Sequence, residues 1–286
     1  MQKNHSQHLS GLLLATLFIS TSGVLGKYIA MPSEVIVWFR SVIAAVFLFI
    51  FCKYKKLDLS LKNKKDTVPF TISALFMAAH WITYFYALKL SNVALGMLSL
   101  FTFPVIIALL EPLFIKVKFN PIHIILGLMV FIGVYILAPD FNLESNQIKG
   151  ILFGVLSAFC YALRILILKQ QITKYNGTVL MLYQTVIITI CLVPLLFFFD
   201  ISALESQLPY LVLLGLLTTA IGHSLMVHSL NYFSVSTASI ISSVQPIFGI
   251  ILAYFFLSEI PTWNTFWGGL LILSTVVIES VRSKKI

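Results

Sequence analysis

The chain has 286 residues, of which 59% are hydrophobic and 10% charged, and its mean hydropathy is +0.99. Soluble domains carry about 25% charged residues, so this composition excludes a chain that is solvated over its whole surface. The net charge of +9 does not indicate nucleic-acid binding, because the lysines cluster at the ends of apolar segments. We therefore predict an integral membrane protein whose partner is the lipid bilayer, and no nucleic-acid partner.

Ten apolar segments are long enough to cross about 30 Å of hydrocarbon. They are 9–30, 35–52, 69–88, 93–115, 122–138, 148–168, 179–199, 208–230, 235–257 and 262–280. The first is longer than the core of a signal peptide, so we expect it to remain as a membrane span. The longest connection is a basic loop at 53–67 with six lysines. The predicted fold class is an all-α integral membrane protein of ten transmembrane helices.

The distribution of lysine and arginine predicts the orientation. With the N terminus inside, fourteen of these residues fall on the cytoplasmic side, and only Lys27, Lys89 and Lys149 fall outside. Lys116, Lys118, Lys284 and Lys285 contribute to the cytoplasmic count, whereas Asp140 is among the acids that fall outside. The positive-inside rule then places both termini in the cytoplasm.

The second half of the chain repeats the first without a gap. A shift of 142 positions places Val93 on Val235, Pro104 on Pro246 and Gly127 on Gly269. We predict two five-helix repeats, at 1–142 and 143–286. Because five is odd, the second repeat enters the membrane from the opposite face, which makes the repeats inverted and favours alternating access.

Several of these features resemble the EamA-like family of the drug/metabolite transporter superfamily. The resemblance rests on the repeated prolines, on Ser258-Glu259 at the end of the ninth predicted span, and on Trp38-Phe39-Arg40 in the second. It implies a multi-pass carrier of the inner (cytoplasmic) membrane, and many members export amino acids and other small metabolites. Val117-Lys118 replaces the family's usual Gly-Glu in the first repeat, where Glu111 occurs earlier instead.

His80 is the sharpest candidate for a substrate contact, because it lies about halfway along the third predicted span. Ionisable residues at membrane depth are costly and tend to mark substrate or proton paths. His223, on the eighth span, lies one position from the repeat partner of His80. The alternative is that each histidine only bonds a neighbouring helix. The predicted substrate-binding residues are His80, Trp81, Tyr84, Ser99, Thr102, His223, Ser242 and Gln245.

Two further sets of residues are predicted to take part in a conformational change, as hinges and as gates. Pro104 and Pro246 each remove a helical hydrogen bond, and we predict that they act as hinges. Pairing of charges by depth predicts an inner gate between Glu111 and Arg164 and an outer gate between Lys27 and Glu259. Alternatively, these long side chains extend separately to the lipid headgroups. Arg40 is predicted to order backbone carbonyls or Glu34.

The predicted function is secondary transport of a small-molecule substrate by alternating access, most simply the export of amino acids or related amphipathic or amine solutes. No phosphate-binding loop for ATP is present, and the chain is predicted to need no cofactor or metal. Protons are one candidate for a coupling ion, and uncoupled exchange is the other. The assembly is predicted to be a monomer or a homodimer. A non-transporting scaffold and a membrane-embedded enzyme are the alternatives, although no catalytic motif favours the enzyme.

Overall fold

The computed structural model describes residues 2–114, 120–137, 142, 144–233, 238 and 241–283, with side chains from residue 7 onward except at 279, 280, 282 and 283. Among these residues there are helices and no strand. Some residues on which the predicted orientation, repeat and family resemblance rest lie outside the described residues, namely Lys116, Val117-Lys118, Asp140, Val235, Lys284 and Lys285.

Helices account for most of the described residues. In chain order they are α1 (Gln2–Tyr28), α2 (Ser33–Tyr54), α3 (Thr67–Leu90), α4 (Val93–Leu100), α5 (Phe103–Phe114), α6 (Ile122–Leu137), α7 (Asn146–Lys169), α8 (Gly177–Leu192), α9 (Leu204–Leu213), α10 (Ser224–Ser229), α11 (Gln245–Leu257) and α12 (Trp263–Ser283). A π-helical segment, Leu214–His223, joins α9 to α10. Short 3₁₀ helices lie at Lys64–Asp66 and Val193–Phe197.

Seven helical stretches among the described residues are long and apolar enough to cross a bilayer. They are Gln7–Tyr28, Ser33–Tyr54, Lys64–Leu90, Val93–Phe114, Asn146–Lys169, Gly177–Phe197 and Leu204–Ser229. Three shorter apolar helices, Ile122–Leu137, Gln245–Leu257 and Trp263–Ile278, coincide with the fifth, ninth and tenth predicted spans. The protein is therefore a helical, multi-pass integral membrane protein, and the count of ten spans remains a prediction.

Helices α3 and α7 pack along one another at the centre of the bundle. Small residues of α7 also allow its close approach to the end of α3 and to α4. A Cβ atom on Gly150 would lie 2.7 Å from Ser91 Cβ, and one on Gly154 would collide with the side chain of Ser99. Helices α6 and α12 cross in the same way, because a Cβ on Gly268 would lie 2.8 Å from the backbone oxygen of Gly133. These contacts are typical of membrane helices that pack through small side chains.

The two repeated prolines follow two equivalent helix breaks. Residues 101–102 form a turn between α4 and α5, and residues 243–244 form a turn before α11. These positions are 142 residues apart, like the prolines themselves. The prediction that each proline removes a helical hydrogen bond is wrong, because Pro104 and Pro246 each lie in the first turn of the helix that follows, where the missing N–H costs no helical bond. Both breaks leave irregular backbone at the depth of the cavity described below.

The basic loop packs against the connection between α7 and α8. The Tyr175 hydroxyl donates to Asp66 Oδ2 at 2.7 Å and accepts from the backbone N–H of Lys62 at 2.9 Å. Lys174 Nζ lies 3.5 Å from the same carboxylate. Burial and the hydrogen bond to Asp66 raise the pKa of the Tyr175 phenol. These bonds tie the lysine-rich loop to the helical bundle.

Candidate functional site

A small enclosed cavity lies where the two halves of the chain meet. Its volume is about 30 Å³, whereas one water needs about 10–15 Å³, so it has room for about two waters and none for a metabolite. Its lining comes from α1, α3, α7, the two broken helices and the π-helical segment. The lining residues are Ile19, Ser22, His80, Trp81, Tyr84, Leu100, Phe101, Phe103, Tyr161, His223, Ser242 and Gln245.

Six of the eight predicted substrate-binding residues therefore line one cavity. They are His80, Trp81, Tyr84, His223, Ser242 and Gln245. Ser99 and Thr102 are buried but are not among its lining residues. The Ser99 hydroxyl donates to the Leu95 carbonyl at 2.7 Å, and the Thr102 hydroxyl donates to the Ser99 carbonyl at 2.8 Å. Both hydroxyls therefore donate to carbonyls of the nearby backbone, as serine and threonine hydroxyls in membrane helices commonly do.

His80 is held by Ser157 on the neighbouring α7. Its Nδ1 lies 2.7 Å from Ser157 Oγ, and that hydroxyl donates to the His80 backbone carbonyl at 2.8 Å. Because the hydroxyl proton is used, Oγ accepts from Nδ1, so we assign the neutral tautomer with its proton on Nδ1. Nε2 carries no proton in this tautomer and has no hydrogen-bond partner among the described residues. It is therefore a free acceptor on a side chain that lines the cavity.

His223 reaches the cavity from the end of the π-helical segment. Its ring centroid lies 5.6 Å from that of Trp81, and its Nδ1 is buried without a hydrogen-bond partner among the described residues. The buried Tyr84 hydroxyl also makes no hydrogen bond of good geometry among the described residues, although the Ser22 side chain lies within its reach. Buried polar atoms normally have partners, and an exception requires an explanation such as an unfilled ligand site. π-helical turns are also often found at functional sites.

Arg40 is fully buried beside the cavity. Its guanidinium donates to Thr218 and Thr219 of the π-helical segment at 2.8–3.0 Å, and its Cζ lies 3.9 Å from the centroid of the Trp81 ring. The prediction that Arg40 orders backbone carbonyls or Glu34 is therefore wrong. The two threonine hydroxyls provide acceptors at the same depth, and the indole provides a face for the cation.

The predicted ion pair between Glu111 and Arg164 is not present in this structure. Arg164 Nη2 donates to Gln184 Oε1 at 2.9 Å and contacts Met181 Sδ at 3.1 Å. Glu111 instead accepts from Lys169 Nζ at 2.5 Å. Lys169 is five residues beyond Arg164 on α7, which places the two side chains about 140° apart around the helix. An approximate depth in the membrane could not show that Lys169, and not Arg164, faces Glu111.

Lys27 and Glu259 meet at the turn between α3 and α4. Lys27 Nζ donates to the carbonyls of Leu88 at 2.7 Å and Ser91 at 2.8 Å. Leu88 lies in the last turn of α3, so the ammonium group caps the C-terminal end of that helix. Glu259 Oε2 accepts from the backbone N–H of Val93, the first residue of α4, at 2.8 Å. Each charge therefore complements one helix terminus, and the predicted pair is a clamp on a shared turn rather than a direct ion pair.

Ser157 and Tyr161 are site residues that the sequence analysis missed. With Arg164 they occupy positions i, i+4 and i+7 of α7, one helical face. Tyr161 packs against His80 with ring centroids 4.7 Å apart and makes an edge-to-face contact with Phe103 at 4.8 Å. A polar stripe at this spacing in an otherwise apolar helix was the signal that would have identified them.

The sequence profile of the EamA-like transporter family matches residues 8–138 and 148–280. The chain belongs to this family. It is 23% identical over 283 residues to the pseudopaline exporter CntI of Pseudomonas aeruginosa, with 96% of this chain and 97% of the relative covered. It is 22% identical over 292 residues to the S-adenosylmethionine uptake transporter of Rickettsia conorii, with 99% and 95% covered.

A solved crystal structure shares the fold. It superimposes with a TM-score of 0.72 and covers 98% of each chain at 17% sequence identity. Membership of the family, the multiple apolar helices and the bacterial relatives make this EamA-like chain a multi-pass protein of the cytoplasmic membrane. Its named relatives carry different solutes in opposite directions, so membership alone does not define a substrate.

Proposed function

We propose that this EamA-like chain is a secondary transporter of small metabolites, with amino acids or related amphipathic and amine solutes as the substrate class. The observation that carries the proposal is the cavity between the halves, with its unpaired polar atoms on Tyr84 and His223. Unpaired atoms in a buried, aromatic-walled space fit a solute that has both apolar and hydrogen-bonding parts. Trp81 and Tyr161 offer faces to its apolar part.

The proposed mechanism is alternating access between two inverted five-helix repeats, at 1–142 and 143–286, with both termini in the cytoplasm. The helix breaks before Pro104 and Pro246 support hinges at equivalent places in the two repeats. Since the cavity is too small for a metabolite, this conformation is an occluded one that must open on either side to bind or release a substrate.

Features on both sides of the cavity fit the roles of gates. Toward the end of α7 that carries Lys169, a second small cavity shares the wall formed by Phe103, Tyr161 and Ser242. Separation of the Phe103–Tyr161 ring contact would join the two spaces. On the opposite side, the clamp of Lys27 and Glu259 on the α3–α4 turn would have to loosen.

The test is solute counterflow in proteoliposomes that contain no ATP. Liposomes are loaded with an unlabelled amino acid or amine, and the uptake of the same labelled solute is compared with that of protein-free liposomes. Accumulation of one solute class supports the proposal. Absence of accumulation for every solute, with protein that melts cooperatively, would contradict it and favour a non-transporting role.

Export is the proposed direction, and the named activity of the pseudopaline exporter supports it. Import is the second candidate, because another relative is named as an uptake transporter. Vesicles of the two orientations, given an imposed proton gradient or none, would distinguish the directions and show whether protons are coupled. Faster accumulation in inside-out vesicles is expected for an exporter.

A further inference from the structure

Two arginines are the largest buried charged side chains of the described part of the chain. Arg40 is 1% exposed and Arg164 is 0% exposed. Their hydrogen-bond partners are neutral in both cases, two threonine hydroxyls for Arg40 and Gln184 for Arg164. Arginine does not lose its proton in proteins, so two positive charges are present at this depth.

Neither charge has a counter-ion among the described residues. No described carboxylate forms a salt bridge with either guanidinium, and the described ion pairs involve Lys169 and Lys174 instead. Among the described residues, Arg40 Nη1 and both Nε and Nη1 of Arg164 are buried without a hydrogen bond of good geometry, and the neutral Tyr161 hydroxyl is the one group beside Arg164 within reach. An unpaired buried charge is costly, so the unused donors are a second sign that an anion is missing.

Both guanidinium groups lie directly behind the cavity walls. Arg40 stacks on Trp81, and Arg164 Cζ lies 5.6 Å from the ring centroid of Tyr161. Both charges therefore act on the polar groups that line the cavity, which include His80 and His223. In a medium of low dielectric constant these interactions are screened far less than in water, so the cavity is electropositive.

We propose that the cavity selects solutes that carry a carboxylate or an equivalent anionic group, and that Arg40 and Arg164 determine this selectivity. The inference rests on the proposed transport function and narrows it. Amino acids satisfy it through their carboxylate, with the free Nε2 of His80 as an acceptor for the ammonium group. Amines that lack an acid group would bring a third cation into the cavity without a partner and are excluded.

The test compares ligands that differ only in charge. Leucine, leucinamide and 4-methylpentanoate share one side chain. Leucine has a carboxylate and an ammonium group, leucinamide lacks the carboxylate, and 4-methylpentanoate lacks the ammonium group. Phenylalanine, phenylalaninamide and 3-phenylpropanoate form a second set. Binding to the full chain in lipid nanodiscs is followed by tryptophan fluorescence, because Trp81 lines the cavity. We expect the two acids of each set to bind at least about tenfold more tightly than the amide of that set.

Variants assign the selectivity to the arginines. Arg164→Gln and Arg40→Gln should each lower the acid-to-amide affinity ratio, because each removes one of the two charges, and Arg164→Lys should largely preserve the ratio because the charge remains. Lys149→Gln is the matched control, since it removes a positive charge from an exposed position of the same helix. A dissociation constant does not depend on the folded fraction, so the ratio remains informative if Arg164→Gln lowers the yield of folded protein.

The possible results separate this inference from the transport proposal. Amides that bind as tightly as the acids, or a ratio that Arg164→Gln and Arg40→Gln both leave unchanged, would overturn the inference while the transport proposal stands. Absence of binding by all six compounds would overturn the amino-acid form of the transport proposal, and the inference would fall with it. A high ratio that depends on the arginines would support both.

Discussion

Ser157 Oγ lies 2.7 Å from His80 Nδ1 and donates its own proton to the His80 backbone carbonyl. This double contact joins α3 to α7 and fixes the orientation and the tautomer of the histidine. Ser157→Ala should therefore leave the fold intact but raise the KM for transport by about threefold to tenfold, since one hydrogen bond contributes roughly 0.5–1.5 kcal/mol. Ser274→Ala is the control, because that hydroxyl bonds only its own helix at Leu271. Equal KM values in the two variants would contradict the positioning role.

The clamp on the α3–α4 turn predicts how the protein opens on the side that the positive-inside rule predicts to be outer. Lys27→Met removes the cation that caps the end of α3, so the closed outer side should be less stable. We expect faster labelling of Ser22→Cys by a membrane-impermeant thiol reagent added from outside, in protein whose native cysteines are replaced. Lys149→Met serves as the control for an exposed lysine. Unchanged labelling rates would show that the clamp does not restrict opening.

The pair of Glu111 with Lys169 predicts which charges can be exchanged. Both side chains are partly exposed, so exchange as Glu111→Lys with Lys169→Glu should preserve transport and cost about 0–1 kcal/mol. Exchange of Glu111 with Arg164 should instead bury a carboxylate beside Gln184 and destabilise the protein by about 3–5 kcal/mol. Thermal melting in detergent, with transport of the surviving protein, distinguishes these two double variants.

Because α6 and α12 cross closely, one added methyl group at the crossing should lower the stability of the protein. Gly268→Ala would place a Cβ 2.8 Å from the Gly133 carbonyl oxygen, and the backbone there cannot rotate away. We expect a loss of about 1–3 kcal/mol of stability, the usual range for overpacking. The added Cβ of Gly11→Ala has no described neighbour within 4 Å, so this variant should leave the melting temperature unchanged or raise it slightly. Equal melting temperatures would argue against the crossing.

The sequence repeat anticipated the features that depend on position along the chain. Pro104 and Pro246 have equivalent helix breaks, and His80 and His223 line one cavity, because burial depth and repeat register can be read without coordinates. Pairings that depend on the direction of a side chain were harder to predict. Arg164 and Lys169 lie on one helix but face different neighbours, and Ser99 lies near the cavity but bonds its own helix.

The central claim is that the cavity between His80 and His223 binds the transported solute. Counterflow of the solute that wild-type protein accumulates most strongly, measured for His80→Ala, His223→Ala and His228→Ala, tests it most directly. His228 lies outside the cavity and packs against Tyr232, so its variant should transport at the wild-type rate. We predict that both cavity variants lose transport by about tenfold or more while they still fold, as shown by cooperative melting. Wild-type counterflow in both cavity variants would contradict the claim.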